Sequence, residues 1–407
     1  VAAAAGSGKT KVLVDRIMER VCNENQNITD FLVITYTKAA ATELRAKITA
    51  ELSKRLAASP NNKHLQNQMH LVYGAQISTV HSFCANLLRT YAAMADLAPD
   101  FRVMEEQESR VMKADVMEDL LEHIYANLDK HENIKAFIEE LAFGRDDSAV
   151  PAITYGVYDT VQSHPWRMEW VKQCLSNMDV RKFSDAAETP WGKYLIDNAK
   201  SYIRSQLPLV ELAIELCEAD EALSAAYTET LQADYRKLFD ITCAVTWNDM
   251  VVAKDVAWGR LKPVKKTEQV SILTKERIRE LRDKYKLAVK NKLQAFDAMS
   301  DTVLNDLSKT EASINGVFEL VKLFTTRYSA KKRSNNVVDF SDLEHMTIHL
   351  LLDPKTHERT EVAADISKNY CEIMVDEYQD SNGVQETIFE ACLLYTSDAA
   401  DDLIGVD

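Results

Sequence analysis

Ala3-Ala4-Ala5-Gly6-Ser7-Gly8-Lys9-Thr10 stands at the head of the chain, and Leu13, Val14, Ile17, Met18 and Val21 follow it at helical spacing. The octet has the spacing of a phosphate-binding loop, G-x-x-x-x-G-K-[ST], with Ala3 in place of the leading glycine. Gly6 and Gly8 let backbone N–H groups wrap a phosphate chain that a Cβ would obstruct, and the following helix offers its N-terminus to the same anion. In such a loop Lys9 reaches the β- and γ-phosphates and the Thr10 hydroxyl ligates Mg²⁺. ATP and Mg²⁺ are therefore the expected cofactors, held by Ala5, Gly6, Ser7, Gly8, Lys9 and Thr10. A chance Gly/Ala turn is the competing reading, and the amphipathic helix that follows argues against it.

Outward from the loop, residues 31–37 (Phe-Leu-Val-Ile-Thr-Tyr-Thr) form an apolar, β-branched run that reads as a buried parallel strand. Leu44, Ile48, Leu52 and Leu56 place a helix after it, and Gln76 to Val80 read as a second strand running into His81-Ser82-Phe83. Strands alternating with helices behind a phosphate loop imply a doubly wound α/β core with its site at the C-terminal strand ends. The complementary half-site lies 367 residues beyond Lys9, where Ile373-Met374-Val375 ends in Asp376-Glu377. Asp376 is placed to hold Mg²⁺ through its water shell, also serving as metal ligand with Thr10, and Glu377 to orient or deprotonate the attacking water.

The composition narrows the alternatives. Forty-eight Lys plus Arg against sixty-three Asp plus Glu leave a net charge of −15, which excludes a strongly basic nucleic-acid coat and makes any nucleic-acid site local. Ten glycines and eight prolines in 407 residues disfavour a turn-rich sandwich and favour long helices. No run approaches a membrane span, so the chain reads as soluble and cytoplasmic, without a membrane partner. Seven scattered cysteines show neither metal-site nor disulfide spacing and read as buried or neutral thiols. The first residue is Val and already lies inside a motif, so the chain reads as a fragment.

The string Asp376-Glu377-Tyr378-Gln379-Asp380-Ser381-Asn382, with Gln385 beyond it, resembles motif II of superfamily 1 helicases of the UvrD/Rep class. Thr35-Tyr36-Thr37-Lys38-Ala39-Ala40-Ala41 is similar to motif Ia, and Ser78-Thr79-Val80-His81-Ser82-Phe83 to motif Ic, in the same order and spacing. Within the class the chain most resembles the AddA (RexA) branch, through the alanines before Gly6, Thr79 to Cys84, Phe101 to Glu108 and Val338 to Glu344. Tyr36 stands where the family usually has Phe. The resemblance implies a RecA-like domain 1A in two parts, 1–91 and 336–390, interrupted by a helical domain 1B at 92–335. It also implies an ATP-dependent 3′→5′ helicase that works on single-stranded and duplex DNA in double-strand break repair, as one component of a helicase–nuclease. Its partner would be an AddB-like (RexB-like) chain in a heterodimer. Lys9, Asp376, Glu377 and Gln379 would be catalytic, and Thr35, Tyr36, Thr37, Thr79 and His81 would contact DNA. Core packing is the competing reading for Tyr36 and Phe83. A UvrD/Rep repair helicase without nuclease and a non-hydrolysing, nucleotide-gated DNA scaffold remain open as alternatives. The resemblance ends near Glu390, and residues 391–407 read as a non-native tail. Without a second RecA-like domain and its arginines, the chain is expected to hydrolyse ATP poorly.

A single phosphate-loop domain does not need 367 residues between its halves, so 92–335 must leave the sheet and return to it. Val111, Met112, Val116, Leu120 and Leu121 make this stretch helical by pattern, and all five tryptophans fall in it, expected as core. Residues 260–292 carry +8, leaving −23 on the remainder. Arg279, Arg282, Lys286 and Lys290 share a face there, which reads either as a solvated helix or as a phosphate-tracking surface. Asp339 and Asp342 read as helix caps where the chain returns to the core.

Overall fold

The computed structural model describes residues 9–141, 148–264 and 270–393. Ala5, Gly6, Ser7 and Gly8, the side chain of Lys9, and Lys265 and Lys266 lie outside the described residues. The chain forms two compact units, one combining the residues up to Val171 with those from Gly316 onward, the other spanning Lys172–Asn315. The stretch 92–335 is therefore not one compact body: its first 80 residues and its last 20 pack within the first unit.

Five strands are present among the described residues: β1 (Phe31–Thr35), β2 (Gln76–Thr79), β3 (Arg102–Val103), β4 (Val337–Val338) and β5 (Glu372–Val375). β1 is the centre of a parallel sheet ordered β2-β1-β5, with Thr35 opposite Thr79 and Ile34 opposite Val375. All five residues of β1 are buried, because helices cover both faces. The two-residue period divides them: Phe31 and Val33 join one core, Leu32 and Ile34 the other.

The first core is closed by α1 (Lys9–Asn23), α2 (Lys38–Ala58) and α3 (Lys63–Leu71), through Val14, Ile17, Met18 and Val21 and the expected stripe Leu44, Ile48 and Leu52. α2 starts where the Thr37 hydroxyl accepts the Ala40 N–H and stops just before Ser59-Pro60. α4 (Val80–Thr90) lies on the opposite face and is capped in the same way by Thr79, which accepts the Ser82 N–H. Helices α5 (Glu106–Tyr125), α6 (Glu132–Leu141), α7 (Ala149–Gln162) and α8 (Arg167–Met178) follow. The first three of these build a further core with Phe324 and Tyr328.

The second unit is helical: α9 (Pro190–Arg204), α10 (Leu207–Glu218), α11 (Glu221–Thr242), α12 (Trp247–Lys254) and α13 (Ile272–Lys292). Trp247 is buried in its core, with Trp191 and Trp258 packed against it. Inside this unit one expectation fails. The sequence pattern groups Arg282 with Arg279, Lys286 and Lys290 on a basic surface, yet its side chain is 8% exposed and pairs with the fully buried Asp234 at 2.7 Å. Tyr285 donates to the same carboxylate oxygen at 2.7 Å, and Arg282 also donates to the Gly259 carbonyl. The apolar stripe Ile278, Leu281, Tyr285 and Val289 is wide enough to draw its neighbour Arg282 inside, where it needs an acid.

α14 (Ser300–Ser334) returns the chain to the first unit, and β4 then pairs in parallel with β3. Asn336 O accepts from Arg102 N at 3.1 Å and Val338 O from Met104 N at 2.8 Å, tying the two ends of the intervening stretch together. α15 (Phe340–Leu351), α16 (Glu361–Ser367) and α17 (Gly383–Ala391) complete the layer shared with α4. Ala391 and Cys392 are buried in that layer, whereas residues 394–407 lie outside the described residues. No helix among the described residues is long and apolar enough to cross a membrane. All seven cysteines are free, and burial pushes the Cys392 thiol up to about 12.

Candidate functional site

The C-terminal end of the sheet gathers the residues that the motifs single out. Asp376 extends β5 by one more bond, its N–H reaching Ile34 O at 2.9 Å, so its side chain leaves the sheet at the strand end. Glu377 follows with φ 58° and ψ 47°, a left-handed conformation that costs a residue with a Cβ roughly 1–2 kcal/mol. Such strain is tolerated where the surroundings over-determine it, and it turns the chain sharply away from β5. The Gln379 side-chain amide donates to the Glu377 carboxylate and so orients it. Tyr378 donates to Glu386 at 2.6 Å, and this hydrogen bond, with burial, pushes its phenol up to about 12.

Asp376, Glu377, Tyr378 and Gln379 line one wall of a cleft of about 250 Å³ whose other wall is Val12, Leu13 and Arg16 of α1. Thr10 is half-buried in the first turn of that helix. Arg16 and Arg20 hold α1 against β5 through Glu372, at 2.5 and 3.4 Å. Thus motif II faces, across one cleft, the N-terminal half of the helix that follows the phosphate-loop motif, although roughly 360 residues separate them in sequence.

The motif Ia and Ic residues stand at the ends of the neighbouring strands. Thr35 is buried and its hydroxyl donates to Thr37 O at 3.1 Å, while Thr79 is buried and caps α4. Thr37 is exposed while also capping α2. Phe83 is buried in the core. Tyr36 is half-buried, and its hydroxyl is buried with no hydrogen-bond partner. Burial raises its pKa and the charges of Asp380 and Glu344 add to the rise, while nearby Ser381, which forms no hydrogen bond of good geometry with it, acts the other way. The phenol is therefore neutral at physiological pH. His81 is 37% exposed; its ring stacks on Phe340 at 4.5 Å and its Nε2 lies 3.2 Å from Glu344 Oε1.

Sequence reasoning misses Phe340 and Glu344 as site residues. They lie in the Val338 to Glu344 string, about 260 residues after His81, and no spacing rule connects the two. Asp339 and Asp342 do form the capping box expected of them at the start of α15. They also hold the buried Lys332 ammonium at 2.8 and 2.5 Å. Burial alone would raise the Asp339 carboxyl, but Lys332 brings it below its ordinary value; burial and Asp339 together raise Asp342.

With this geometry in place, comparison with known proteins gives a consistent result. The UvrD/REP helicase N-terminal domain model matches residues 1–400. The chain belongs to that family. It is similar to the A-type component of the ATP-dependent helicase/nuclease of Clostridium botulinum, at 31% identity over 407 residues covering 98% of this chain and 32% of that protein. The corresponding helicase/nuclease proteins of Geobacillus kaustophilus and Listeria innocua are 34% and 32% identical, covering 96% and 95% of this chain and 32% of each relative. The chain thus spans about a third of the length of these relatives. The UvrD/REP domain here is a mixed α/β structure, mostly helical around a small parallel sheet.

Proposed function

We propose that the protein containing this chain is an ATP-dependent DNA helicase that translocates 3′→5′ along single-stranded DNA within a helicase/nuclease complex. The observation that carries this reading is the cleft in which Asp376 and Glu377 face the N-terminal half of α1, one strand away from Tyr36 and two from His81. Hydrolysis and strand contact would then share the rigid end of one sheet. The names of the helicase/nuclease relatives support the assignment to such a complex. On the same reading the partner is an AddB-like chain in a heterodimer, the setting is cytoplasmic, and the task is recombinational repair of double-strand breaks. Domain 1A comprises 1–91 and 336–390, and the insertion 92–335 supplies domain 1B, of which only 172–315 form a compact unit of their own.

Thr10 and Asp376 offer hard oxygen donors, which suit Mg²⁺. Among the described residues no three His, Cys, Asp or Glu side chains cluster as a self-sufficient metal site. When bound, the ion neutralises charge on the β- and γ-phosphates. Lys9 with Ala5, Gly6, Ser7 and Gly8 binds the phosphate chain. Glu377 accepts a proton from, or orients, the attacking water, and Gln379 fixes the rotamer in which it does so. Tyr36, Thr37 and His81 present aromatic faces and donors to a strand, as sequence-tolerant binding requires. The hydroxyls of Thr35 and Thr79 are engaged with the backbone, so their share in strand contact is to hold the strand ends in shape.

The test uses the longest natural polypeptide that contains this chain. Lys9→Ala and Glu377→Gln should each abolish DNA-stimulated ATP turnover and leave single-strand binding in place. Turnover that survives both substitutions would overturn the assignment.

A further inference from the structure

Glu344 is a carboxylate that joins the His81 end of the sheet to the motif II helix. It is 7% exposed, and it belongs neither to the phosphate cleft nor to the capping box of its own helix. Its Oε1 takes two contacts from two different elements: His81 Nε2 in the first turn of α4 at 3.2 Å, and Gln385 Nε2 in the first turn of α17 at 2.8 Å. Phe340, one turn earlier on α15, stacks on the same His81 ring. Gln385 is likewise buried, and its backbone N–H is held by the Asn382 cap at 2.9 Å. Asn382 closes the six-residue stretch that begins at Glu377.

Two polar atoms beside this bridge have no partner. The Gln385 Oε1 and the Tyr36 hydroxyl are both buried and unbonded, and Glu344 is close enough to Tyr36 to raise its pKa. Buried polar atoms are paired in the great majority of cases, so two unpaired ones beside one carboxylate leave room for a second bonding arrangement. A strand contacting His81 or Tyr36 would change what Glu344 and Gln385 bond to, and Gln385 sits on the helix that Asp376 and Glu377 lead into.

We propose that Glu344 is a positioning residue that couples strand occupancy at His81 to the motif II segment through Gln385. The inference rests on the reading of His81 and Tyr36 as strand contacts. Glu344 touches neither nucleotide nor strand; it transmits the position of one to the other through a single oxygen.

The experiment measures the ratio of DNA-stimulated to DNA-free ATP turnover, together with the single-strand concentration that gives half-stimulation, in the longest natural polypeptide. Glu344→Ala should lower the ratio about tenfold. Glu344→Gln, which keeps an acceptor oxygen in place, should retain it to within threefold. Gln385→Leu cuts the other leg of the bridge without touching α15, and should lower the ratio as Glu344→Ala does, which keeps the test decisive if Glu344→Ala does not fold. A ratio unchanged in Glu344→Ala or in Gln385→Leu overturns the proposal. So does a fall of both rates together with the ratio preserved, which is what a merely structural role would produce. His81→Ala tests the underlying reading separately: it should raise the half-stimulating DNA concentration, and an unchanged value would refute the strand contact, whatever the ratio does in the Glu344 variants.

Discussion

Replacing Lys332 by Met tests how the chain re-enters the sheet. The ammonium is 4% exposed and lies between Asp339 and Asp342, whose side chains are 10% and 16% exposed. It also lies 4.3 Å from the Tyr328 ring centroid, and Tyr328 bonds to Ser109 on α5. Methionine preserves the length and the apolar contacts but leaves two buried carboxylates uncompensated. Removing one partner of a buried ion pair costs about 3–5 kcal/mol, and the lost cation–π contact adds about 1. At roughly 2–4 °C per kcal/mol for a unit of this size, a loss of about 4 kcal/mol lowers Tm by roughly 8–16 °C. The sign with pH follows from linkage. Without Lys332 both carboxyls titrate above their unfolded values, so the deficit is greatest at neutral pH and shrinks as pH falls towards about 4, where they protonate. Thermal and urea melts followed by circular dichroism at about pH 7 and about pH 4.5 measure both effects. A loss under about 1 kcal/mol at neutral pH, or a deficit that grows on acidification, would refute the assignment of a compensated ion triad.

Other perturbations address the remaining sites. Glu377→Gln should lower DNA-stimulated turnover by at least about 100-fold, the usual contribution of a general base, with nucleotide affinity little changed; steady-state kinetics retaining a tenth of the activity would contradict it. Glu377→Gly should inactivate as fully yet raise stability by about 1 kcal/mol in urea melts, because glycine occupies the left-handed region without the Cβ penalty. Arg282→Met should cost about 3 kcal/mol or more by stranding Asp234, and leave the salt dependence of DNA binding unaltered; a reduced salt slope would return Arg282 to the surface. Tyr36→Ala should weaken single-strand binding by about 1–3 kcal/mol, whereas Tyr36→Phe, which removes only an unbonded hydroxyl, should bind to within twofold by fluorescence titration.

The readable parts of this molecule are those governed by local rules. Helix α1, the apolar runs of β1 and β5 and the cap at Asp339 follow from spacing and propensity within a few residues, whereas the caps at Thr37 and Thr79 stand at positions that the sequence reads as strand contacts. The pairing of the phosphate-loop motif with Asp376 and Glu377 is likewise a sequence expectation, since the chemistry of one requires the other; the loop itself lies outside the described residues. What escapes a reading of the sequence depends on contacts between distant segments. β3 and β4 are two residues each, too short to leave a pattern, and they exist because Arg102 and Val337 meet across the intervening chain. The burial of Arg282 has no local signal, because a cation beside an apolar stripe reads as solvated until Asp234 on α11 is known to face it. Phe340 and Glu344 are visible as part of a diagnostic string but silent as to role, since His81 lies on another element altogether.

α15 shows why the returning segment need not carry chemistry to matter for the site. Asp339 and Asp342 fix its first turn to Lys332 of α14, and β4 fixes the residues just before it to β3. From that anchored start, Phe340 and Glu344 point one face at His81. Ser341 and His345, each one residue on, bond to Gln162 Oε1 and to His164 O at 2.9 and 3.1 Å. Helical periodicity alone makes these three sets of contacts diverge from one turn and a half of backbone. A rotation of α15 that improved one set would therefore loosen another. The Lys332 anchor and the 162–164 contact act together to fix the turn from which α15 meets His81 and Gln385. The end of the sheet that carries Tyr36 and His81 is thus set by residues roughly 250 positions or more away in sequence, on the segment that returns from the intervening stretch.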